Sequence, residues 1–324
     1  MTRALITGGT GFIGANLVRR LLRDGHEVHL LVQPGHSSWR IDEIRESVRL
    51  HEVNLTDAGS LQPLFRTIRP EWIFHLAVHG AYPSQVDWQK MIVTNVIGTA
   101  TLLDAALQCG FETFVNTGTS SEYGFKDHAP LEKESLDPDS HYAVTKAAAT
   151  MHCRFVARSH GVNVPTLRLY SAYGPFEEPT RLMPNIVIRG LAGELPPLVV
   201  PETARDYVYV DDVCEAFVLA ATVPADEPGA IYNIGTGSQT TLRELVTAAR
   251  SIMGIKAEPQ WGTMANRHWD TSVWVADNRK AMARLGWKPG LTVKEGLSAL
   301  VDWFRENPTM QDFYRQRVSR ACAD

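Results

Sequence analysis

The residues Arg3-Ala-Leu-Ile-Thr7, followed at once by Gly8-Gly-Thr-Gly-Phe-Ile-Gly14, decide the fold. The first five are typical of a buried strand, and the segment after the glycines has apolar residues at helical spacing: Leu17, Val18, Leu21 and Leu22. In a strand, glycine turn and helix of this kind, the helix N-terminus offers free N–H groups and a positive dipole end to a pyrophosphate. Because glycine also permits a close backbone approach, the stretch predicts a dinucleotide site. The alternative is a glycine turn with a purely structural role.

The composition is that of an ordinary globular protein. The chain has 324 residues, with 32 Lys and Arg against 36 Asp and Glu, and no long run of either sign. This balance gives no reason to expect nucleic acid or an anionic membrane as a partner. A chain of this length is expected to form one large domain or two interleaved domains.

Cysteines, histidines and apolar runs argue against several other classes of protein. The chain contains four cysteines that are far apart in sequence: Cys109, Cys153, Cys214 and Cys322. We therefore expect four free thiols and a reducing compartment. The eleven histidines lack metal-ligand spacing and His75 is expected in a strand, so no metal is predicted. No secretory leader precedes Arg3 and no apolar run reaches the ~18 residues of a membrane span, which favours a soluble, cytoplasmic protein.

The end of the second predicted strand, Glu27 to Val32, bears on the choice of cofactor. An NAD site usually places an acid there for the ribose diol, whereas an NADP site omits it and supplies a cation for the 2′-phosphate. Here the strand continues into Gln33-Pro-Gly-His-Ser-Ser-Trp-Arg40, which has no acid. Arg40 is therefore interpreted as a cofactor-binding residue that holds this phosphate with the neighbouring serines, and NADP is favoured over NAD. The alternative is that Arg40 is a solvated loop charge and that NAD binds without the acid.

Strand-like and helical segments alternate along the first half of the chain, which predicts an α/β fold with a doubly wound parallel sheet. One long helix is expected to open at Pro83 and to end near Gln108. Ligands bind at the carboxyl ends of the strands in such sheets, and the stretch from Thr117 to Ser121 is predicted to lie at one of these ends.

The alternation breaks down after Tyr170, where the chain is expected to leave the sheet. We predict a Rossmann-type domain over residues 1–171, to which the chain returns at about 206–236. A smaller, interleaved substrate-binding domain is predicted over 172–205 and 237–324. The tail after Asn307 is polar, and we expect it to be loosely held.

The pentapeptide Tyr142-Ala-Val-Thr-Lys146 is followed by three alanines and is predicted to be helical. Residues four apart share one face of a helix, so the ammonium of Lys146 is expected beside the phenol of Tyr142, where it favours the phenolate. One cation at ~4 Å and an effective dielectric of ~20 supplies about 4 kcal/mol, enough to bring a phenol from ~10 toward neutral pH. This is the arrangement of a proton-transfer catalyst. The alternative is a surface tyrosine and lysine on an ordinary helix.

Six stretches in a fixed order point to a family: TGGTGFIG at 7–14, HLA at 75–77, NVIGT at 95–99, YAVTK at 142–146, RDYVYVDDV at 205–213 and NIGTG at 233–237. On these motifs the chain resembles the extended short-chain dehydrogenase/reductase family, the NAD(P)-dependent nucleotide-sugar epimerases and dehydratases. The resemblance runs from residue 3 to about residue 305. It implies a nicotinamide cofactor and a nucleoside-diphosphate-sugar substrate.

The resemblance also implies roles for single residues. Tyr142 is expected to exchange a proton with a sugar hydroxyl, while Lys146 lowers the pKa of the phenol and bonds the nicotinamide ribose. Thr119 is expected to hydrogen-bond the reacting hydroxyl. Asn54 stands where many relatives carry an Asp near the adenine. The implied cofactor residues are Gly8, Gly11, Phe12, Ile13, Gly14, Asn54, Leu55, Leu76, Ala77, Asn95, Thr117, Tyr142, Lys146 and Tyr170.

A second set of residues is implied for the substrate. Arg205 and Arg267 occupy positions that clamp the diphosphate, a task suited to a planar, charged fork; for either arginine the alternative is a surface salt bridge. Asp270 matches an acid near the nucleoside ribose. Ser171 and Arg181 stand where galactose-epimerase-like members have asparagines, which leaves the base and the sugar contacts open. The implied substrate residues are Thr119, Ser120, Ser171, Arg181, Arg205, Arg267 and Asp270.

The residues after Thr119 narrow the reaction. Dehydratases of the family place a carboxylate two residues later to remove a proton, but Ser121 stands there and Glu122 comes one residue too late. In an extended segment that offset points the side chain to the opposite face. We therefore favour a 4-epimerase acting on a nucleoside-diphosphate hexose. The alternative is an NADPH-dependent 4-ketoreductase of a 4-keto-6-deoxy sugar, and a 4,6-dehydratase or a non-catalytic nucleotide sensor is disfavoured.

The resemblance further implies a homodimer formed through helices at about 84–108 and 141–160. The second helix carries three apolar positions, Ala147, Met151 and Phe155, that face either the partner or the sheet.

Overall fold

The computed structural model of the protein describes residues 1–82, 84–265 and 271–320. Its strands are β1 (Arg3–Thr7), β2 (Glu27–Val32), β3 (Arg49–Glu52), β4 (Trp72–His75), β5 (Thr113–Thr119), β6 (Thr166–Leu169), β7 (Ser171–Tyr173), β8 (Ala204–Arg205), β9 (Tyr207–Tyr209), β10 (Ile231–Ile234) and β11 (Thr240–Thr241).

The helices are α1 (Phe12–Arg23), α2 (Ala58–Ile68), α3 (Trp88–Ile92), α4 (Gly98–Cys109), α5 (His141–His160), α6 (Leu182–Gly190), α7 (Val210–Thr222), α8 (Leu242–Met253), α9 (Arg279–Leu285), α10 (Val293–Glu306) and α11 (Pro308–Arg320). A π-helical segment, Val93–Ile97, joins α3 to α4, and short 3-10 helices span Asp42–Ser47 and Ser120–Tyr123.

Seven strands form one parallel sheet in the order β3-β2-β1-β4-β5-β6-β10. The direction in which strands are added reverses between β1 and β4, and the register there places Thr7 opposite His75 at the carboxyl ends. Ligands of doubly wound sheets bind at this switch point. The predicted Rossmann-type parallel sheet is confirmed.

Apolar layers cover both faces of this sheet. One layer contains Leu17 of α1 and Phe217 of α7, and the other contains Phe65 of α2 and Leu102 of α4; all four side chains are fully buried. Full burial of such a side chain contributes about 1.5–3 kcal/mol. The two layers therefore hold the strand ends in fixed positions.

The chain leaves the sheet after β6 and re-enters it at β10, which pairs with β6. Between these strands, β7 pairs with β9, and β8 pairs with β11 in a second small ladder. A separate apolar cluster forms between α6, α8, α10 and α11, with Ile186, Leu245 and Phe304 fully buried. This cluster supports the segments that face the carboxyl ends of the main sheet.

The helix predicted to open at Pro83 begins at Trp88; Pro83 itself lies outside the described residues. The carboxylate of Asp87 caps it by accepting a hydrogen bond from the Lys90 N–H (3.0 Å), which fixes the later start. Within the described residues, the continuous stretch Trp88–Cys109 has the length and composition of a membrane span. Core helices of soluble proteins pass the same test, and Leu102 and Leu103 of this stretch are buried in the core.

The expectation of a loosely held tail is wrong, because residues 308–320 form α11. Tyr314 is fully buried, and its hydroxyl donates a hydrogen bond to the carbonyl of Glu177 (2.6 Å). Its ring packs edge-on against Phe304 and Trp39. Most polar residues of this helix, among them Asp312, Arg315 and Arg317, lie on its exposed face.

The thiols of Cys109, Cys153 and Cys214 are free, as expected, and Cys322 lies outside the described residues. His75 lies in β4, where its ring nitrogens bond the hydroxyls of Thr7 and Thr99 at 2.7 Å each. Its imidazole is therefore part of the core.

Candidate active site

The glycine turn after β1 is packed too tightly for side chains. Gly8 has φ +71°, and a Cβ there would lie 2.6 Å from the Ala77 nitrogen. A Cβ on Gly14 would lie 2.1 Å from the carbonyl oxygen of Gly8. Gly11 forms the N-cap of α1 and brings no side chain to the N–H groups of the first turn. These groups can therefore bond a phosphate, so the turn fits a dinucleotide.

Two predicted cofactor residues have buried hydroxyls without a hydrogen-bond partner. They are Thr117, near the end of β5, and Tyr170, which follows β6. Buried polar atoms in proteins are normally bonded, so an orphaned hydroxyl at the ligand-binding edge of a sheet fits a ligand that supplies the partner. Leu76 and Ala77 follow β4 beside the glycine turn, and the Ala77 N–H is held by the Thr7 hydroxyl (3.1 Å).

Asn54 and Leu55, the two residues predicted near the adenine, differ in exposure. Asn54 is exposed, and its side-chain oxygen accepts hydrogen bonds from both the N–H and the hydroxyl of Thr56. Leu55 is buried in the core beside α2. The adenine contacts of both residues stay predictions.

Asn95 has a structural task that was not predicted. Its side-chain oxygen accepts from the His79 N–H (2.8 Å), and its NH₂ group donates to the His79 carbonyl (2.8 Å) and to the Thr145 hydroxyl (2.9 Å). Both N–H donors of the amide are thereby used. Asn95 lies in the π-helical segment and ties the loop after β4 to α5. The cofactor contact of Asn95 stays a prediction.

Arg40 does not have the position predicted for a phosphate ligand. Its side chain is buried, Nε donates to the Phe176 carbonyl (2.7 Å), and Nη2 bonds the carboxylate of Glu178 (3.0 Å). The guanidinium also stacks on the Trp39 ring at 4.1 Å from its centroid. Nε and Nη2 thus have partners more than a hundred residues away in the chain, which argues against the role of 2′-phosphate ligand; that role stays a prediction.

The first turn of α5 brings Tyr142 to the end of β5. The Ser140 hydroxyl caps the helix by accepting from the Ala143 N–H (3.2 Å). In this position the phenol of Tyr142 lies close enough to the side chain of Thr119, the last residue of β5, for that side chain to lower the pKa of the phenol. The structure thus unites two of the three predicted catalytic groups in one contact.

The pKa of Tyr142 departs from the prediction. Burial raises it to about 12, and the negative charge of Glu122 acts in the same direction. The bond from Thr119 and the positive charge of Arg181 act in the opposite direction. The sequence predicted a lowered pKa for this phenol, so the predicted direction is wrong for the protein alone, since loss of hydration outweighs the favourable contacts.

Lys146 lies on the inner side of α5 with only 3% of its surface exposed. Burial lowers the pKa of its ammonium group, while the charges of Glu122 and Cys153 raise it. Burial, together with the charge of Lys146, lowers the pKa of His75 to about 3. The charge of Lys146 thus acts on His75 at the end of β4, and it is not among the largest contributions to the pKa of Tyr142.

The segment after Thr119 is a 3-10 helix, not the extended chain assumed from sequence. Glu122 nevertheless points inward, where its carboxylate bonds the Thr119 N–H (2.9 Å) and Nε of Arg168 (2.8 Å). It is fully buried and reciprocally caps the 3-10 helix with Thr119. This carboxylate therefore has structural partners within the protein.

The predicted substrate residues Arg181 and Ser171 have different surroundings in the structure. Arg181 is exposed, and its positive charge acts on Tyr142. Ser171 lies in β7, where its N–H bonds the Asp206 carbonyl (3.0 Å). Arg267 and Asp270 lie outside the described residues.

Trp274 is a residue that the sequence did not single out. Its indole N–H donates to the hydroxyl of Ser120 (3.2 Å), and the guanidinium of Arg205 lies over its ring at 5.3 Å from the centroid. Trp274 therefore connects two predicted substrate residues, Ser120 and Arg205. Its neighbourhood in sequence has no motif that would have marked it.

Comparisons with known proteins agree with this geometry. Residues 4–235 match the model of the NAD dependent epimerase/dehydratase family. This chain belongs to that family. A UDP-glucose 4-epimerase of Mycolicibacterium smegmatis is 33% identical over 94% of the chain and 98% of its own length. A dTDP-glucose 4,6-dehydratase of Streptomyces antibioticus is 30% identical over 98% of the chain and 97% of its own length.

The crystal structure of a UDP-glucose 4-epimerase from Thermotoga maritima with UDP-glucose has a TM-score of 0.85 and 30% identity, over 94% of this chain and 99% of that one. Members of this epimerase/dehydratase family that resemble the chain therefore include both epimerases and dehydratases. The family relation establishes the class of enzyme, and the choice between its reactions depends on the site.

Proposed function

We propose that this family member is an NAD-dependent 4-epimerase of a nucleoside-diphosphate hexose. The observation that carries the proposal is the joined pair Tyr142 and Thr119, at the ligand-binding edge of the sheet, with Ser121 where an eliminating enzyme needs a carboxylate. A site with these groups can move a proton at one sugar hydroxyl. Among the described residues, the position two after Thr119 carries a hydroxyl in place of the separate acid that loss of water requires.

The residues divide the work at C4. The phenol oxygen of Tyr142 accepts the proton of the C4 hydroxyl and later returns it, while Thr119 orients that hydroxyl by a hydrogen bond. NAD, held at the glycine turn, would supply the chemistry of hydride transfer at C4 in both directions. The high pKa keeps the phenol of Tyr142 protonated in the protein alone, and its conjugate phenolate is a strong base toward the C4 hydroxyl.

NAD is proposed as the cofactor in place of NADP. The family is described as NAD dependent, and the one cation that favoured NADP, Arg40, is bonded to Glu178. The end of β2 still lacks an acid for the ribose diol, so we expect backbone groups and water to serve it. The alternative, a 4-ketoreductase, would consume external NADPH. The bond between Arg40 and Glu178 weakens the argument for an NADPH site and so for this alternative.

The relatives support a nucleotide-sugar substrate, because UDP-glucose is bound in the Thermotoga maritima structure. In this protein Arg205, which stacks on Trp274, is proposed to meet the diphosphate, and Arg181 to lie near the reacting sugar. The opposite charge of a diphosphate favours both arginines as partners.

The test is a panel of UDP-, GDP-, CDP- and dTDP-hexoses with identification of the products and of any dinucleotide released on denaturation. We expect NAD(H) to be retained by the purified protein and a C4 epimer to form with no added cofactor. Stoichiometric oxidation of NADPH with a 4-keto-6-deoxy sugar would instead establish the reductase. Formation of a 4-keto-6-deoxy sugar from a hexose would establish the dehydratase.

We also propose a cytoplasmic homodimer. Exposed apolar side chains form a surface on the helical stretch 88–97 and on α5, here called the helical patch. Its members, each at least 40% exposed, are Trp88, Ile92, Val93, Ile97, Val144, Met151 and Phe155. Ala147, in contrast, is buried against the sheet side. A group of exposed apolar side chains on neighbouring helices is typical of protein interfaces.

A further inference from the structure

Glu122 follows the strand that carries Thr119, and its carboxylate is completely buried. Oε1 accepts hydrogen bonds from the Thr119 N–H (2.9 Å) and the Thr150 hydroxyl (3.0 Å), and Oε2 accepts one from Nε of Arg168 (2.8 Å). The donors belong to β5, α5 and β6. A buried carboxylate is costly unless it is paired and bonded, and here it is both.

The surrounding residues are shaped to hold this carboxylate. A Cβ on Gly118 would lie 2.7 Å from Oε1 of Glu122, so only glycine leaves room for it. The Arg168 guanidinium stacks on the Tyr123 ring at 4.5 Å from its centroid, and the Tyr123 hydroxyl donates to Asn233 (2.7 Å). Arg168 therefore cannot turn away from Glu122 without breaking other contacts.

This buried pair contacts the catalytic groups from two sides. The peptide that Glu122 holds is that of Thr119, whose side chain lies beside the phenol of Tyr142 and acts on its pKa. Thr150 lies four residues after Lys146 on α5, so the two share one face of the helix, and both are buried. The negative charge of Glu122 thus faces the ammonium of Lys146.

We propose that Glu122, held by Arg168, is a positioning residue that fixes the peptide presenting the Thr119 hydroxyl to Tyr142 and balances the buried charge of Lys146. This inference rests on the proposed function, because it assigns a task within the same reaction. The carboxylate makes no contribution as an acid for elimination.

The charge of Glu122 is one of several that act on the catalytic groups. It raises the pKa values of both Tyr142 and Lys146. Removal of this charge should therefore lower both pKa values. The other groups that act electrostatically here are Tyr82 and Arg181 on Tyr142, Cys153 on Lys146, Lys146 on His75, and Tyr123 on Arg168.

The charge is tested by titration of the Tyr142 phenol without substrate. Phenolate absorbance is recorded for the wild type and each variant loaded with NAD⁺. The absorbance of the same protein carrying Tyr142→Phe in addition is then subtracted. Glu122→Gln keeps a side-chain oxygen for Thr119 but removes the charge, so we expect the titration to move to lower pH by about one unit. Glu122→Gln with Arg168→Met removes both charges, and the titration should return toward that of the wild type. Identical titrations of Glu122→Gln and wild type would overturn the charge-balancing role.

The hydrogen bond is tested by two neutral double variants, Glu122→Gln/Arg168→Met and Glu122→Leu/Arg168→Met. Neutral groups of similar volume often replace a buried ion pair without loss of the fold, and melting curves check this. Only the first variant retains an acceptor for the Thr119 N–H. We expect kcat of the Leu variant to be about 10- to 100-fold lower with similar KM, since misplaced catalytic groups cost turnover. Equal kcat values would overturn the positioning role.

These tests separate the inference from the proposed function. If the wild type turns over none of the nucleotide sugars, the proposed function fails, while the substrate-free titration still decides the charge role. If the wild type is active and the titrations and kcat values do not differ as stated, the inference alone fails.

Discussion

The guanidinium of Arg40 and the carboxylate of Glu178 form an ion pair, with Nη2 3.0 Å from Oε2, that ties the turn after β2 to the segment after β7. The Arg40 side chain is only 7% exposed. Arg40 is therefore a bridge between two parts of the chain, and its charge is used within the protein.

This pair predicts the behaviour of Arg40→Ala. The ratio of NAD to NADP affinity should be unchanged, whereas the free energy of unfolding should fall by about 1–3 kcal/mol, because Glu178 loses its partner in a half-buried place. Calorimetric binding of both dinucleotides and urea unfolding measure the two effects. Arg45→Ala, which removes an exposed arginine from the next turn, is the control and should change neither. A selective loss of NADP binding in Arg40→Ala would restore the original interpretation of this arginine.

The contact between Tyr142 and Thr119 predicts graded losses of activity. Tyr142→Phe removes the proton acceptor and should lower kcat by about 10²–10⁴-fold, whereas Thr119→Ala removes only an orienting bond and should cost less. NAD binding should survive in both. The control is Tyr232→Phe, on β10 and away from the site. It removes a hydroxyl that donates to Asp226 (2.7 Å) and should leave kcat unchanged. Unaltered turnover in Tyr142→Phe would remove the tyrosine from the mechanism.

The parts of this fold that the sequence predicted well depend on local patterns. The strand, glycine turn and helix over 3–23 lie as expected because burial and glycine geometry act within a few residues. The helix of Tyr142 was also expected, since an apolar, alanine-rich run favours it. Family motifs then placed Thr119 beside Tyr142, which no local pattern could do.

The parts that the sequence did not predict depend on contacts between distant residues. Arg40 is bonded to Glu178, 138 residues later, and Tyr314 to Glu177, 137 residues earlier. Neither partner can be inferred from spacing. The sequence pointed the Glu122 side chain to the opposite face of an extended segment, but the segment is a 3-10 helix and its carboxylate is buried behind Thr119.

Glu177 predicts a pH dependence of stability. Its carboxyl group is buried, one oxygen has no hydrogen-bond partner, and burial raises its pKa from 4.5 to about 8. Between these two values the folded protein holds a proton that the unfolded chain releases. The contribution of Glu177 to stability is therefore present below pH 4.5 and is lost as the pH rises toward 8.

The variant Glu177→Gln should remove this dependence. At pH 5 it should be about as stable as the wild type, and at pH 8 it should be more stable by about 1–3 kcal/mol, because no buried charge has to form. Urea unfolding at the two pH values measures the difference. Glu194→Gln, at an exposed position, is the control and should give parallel curves. A wild type and Glu177→Gln variant that differ equally at both pH values would mean that Glu177 is ionised throughout.

The helical patch predicts the oligomeric state. Met151 and Phe155 are four residues apart on α5 and are 65% and 67% exposed, so a partner that covers α5 must cover both. Phe155→Glu buries a carboxylate in that interface and should weaken association by about 100-fold or more, since an unpaired buried charge costs several kcal/mol. Sedimentation velocity at a range of protein concentrations measures the change. Met282→Glu introduces the same charge at a 48% exposed apolar residue on α9, outside the patch, and should sediment like the wild type. A wild type that remains monomeric at all concentrations would show that the patch serves another purpose than self-association.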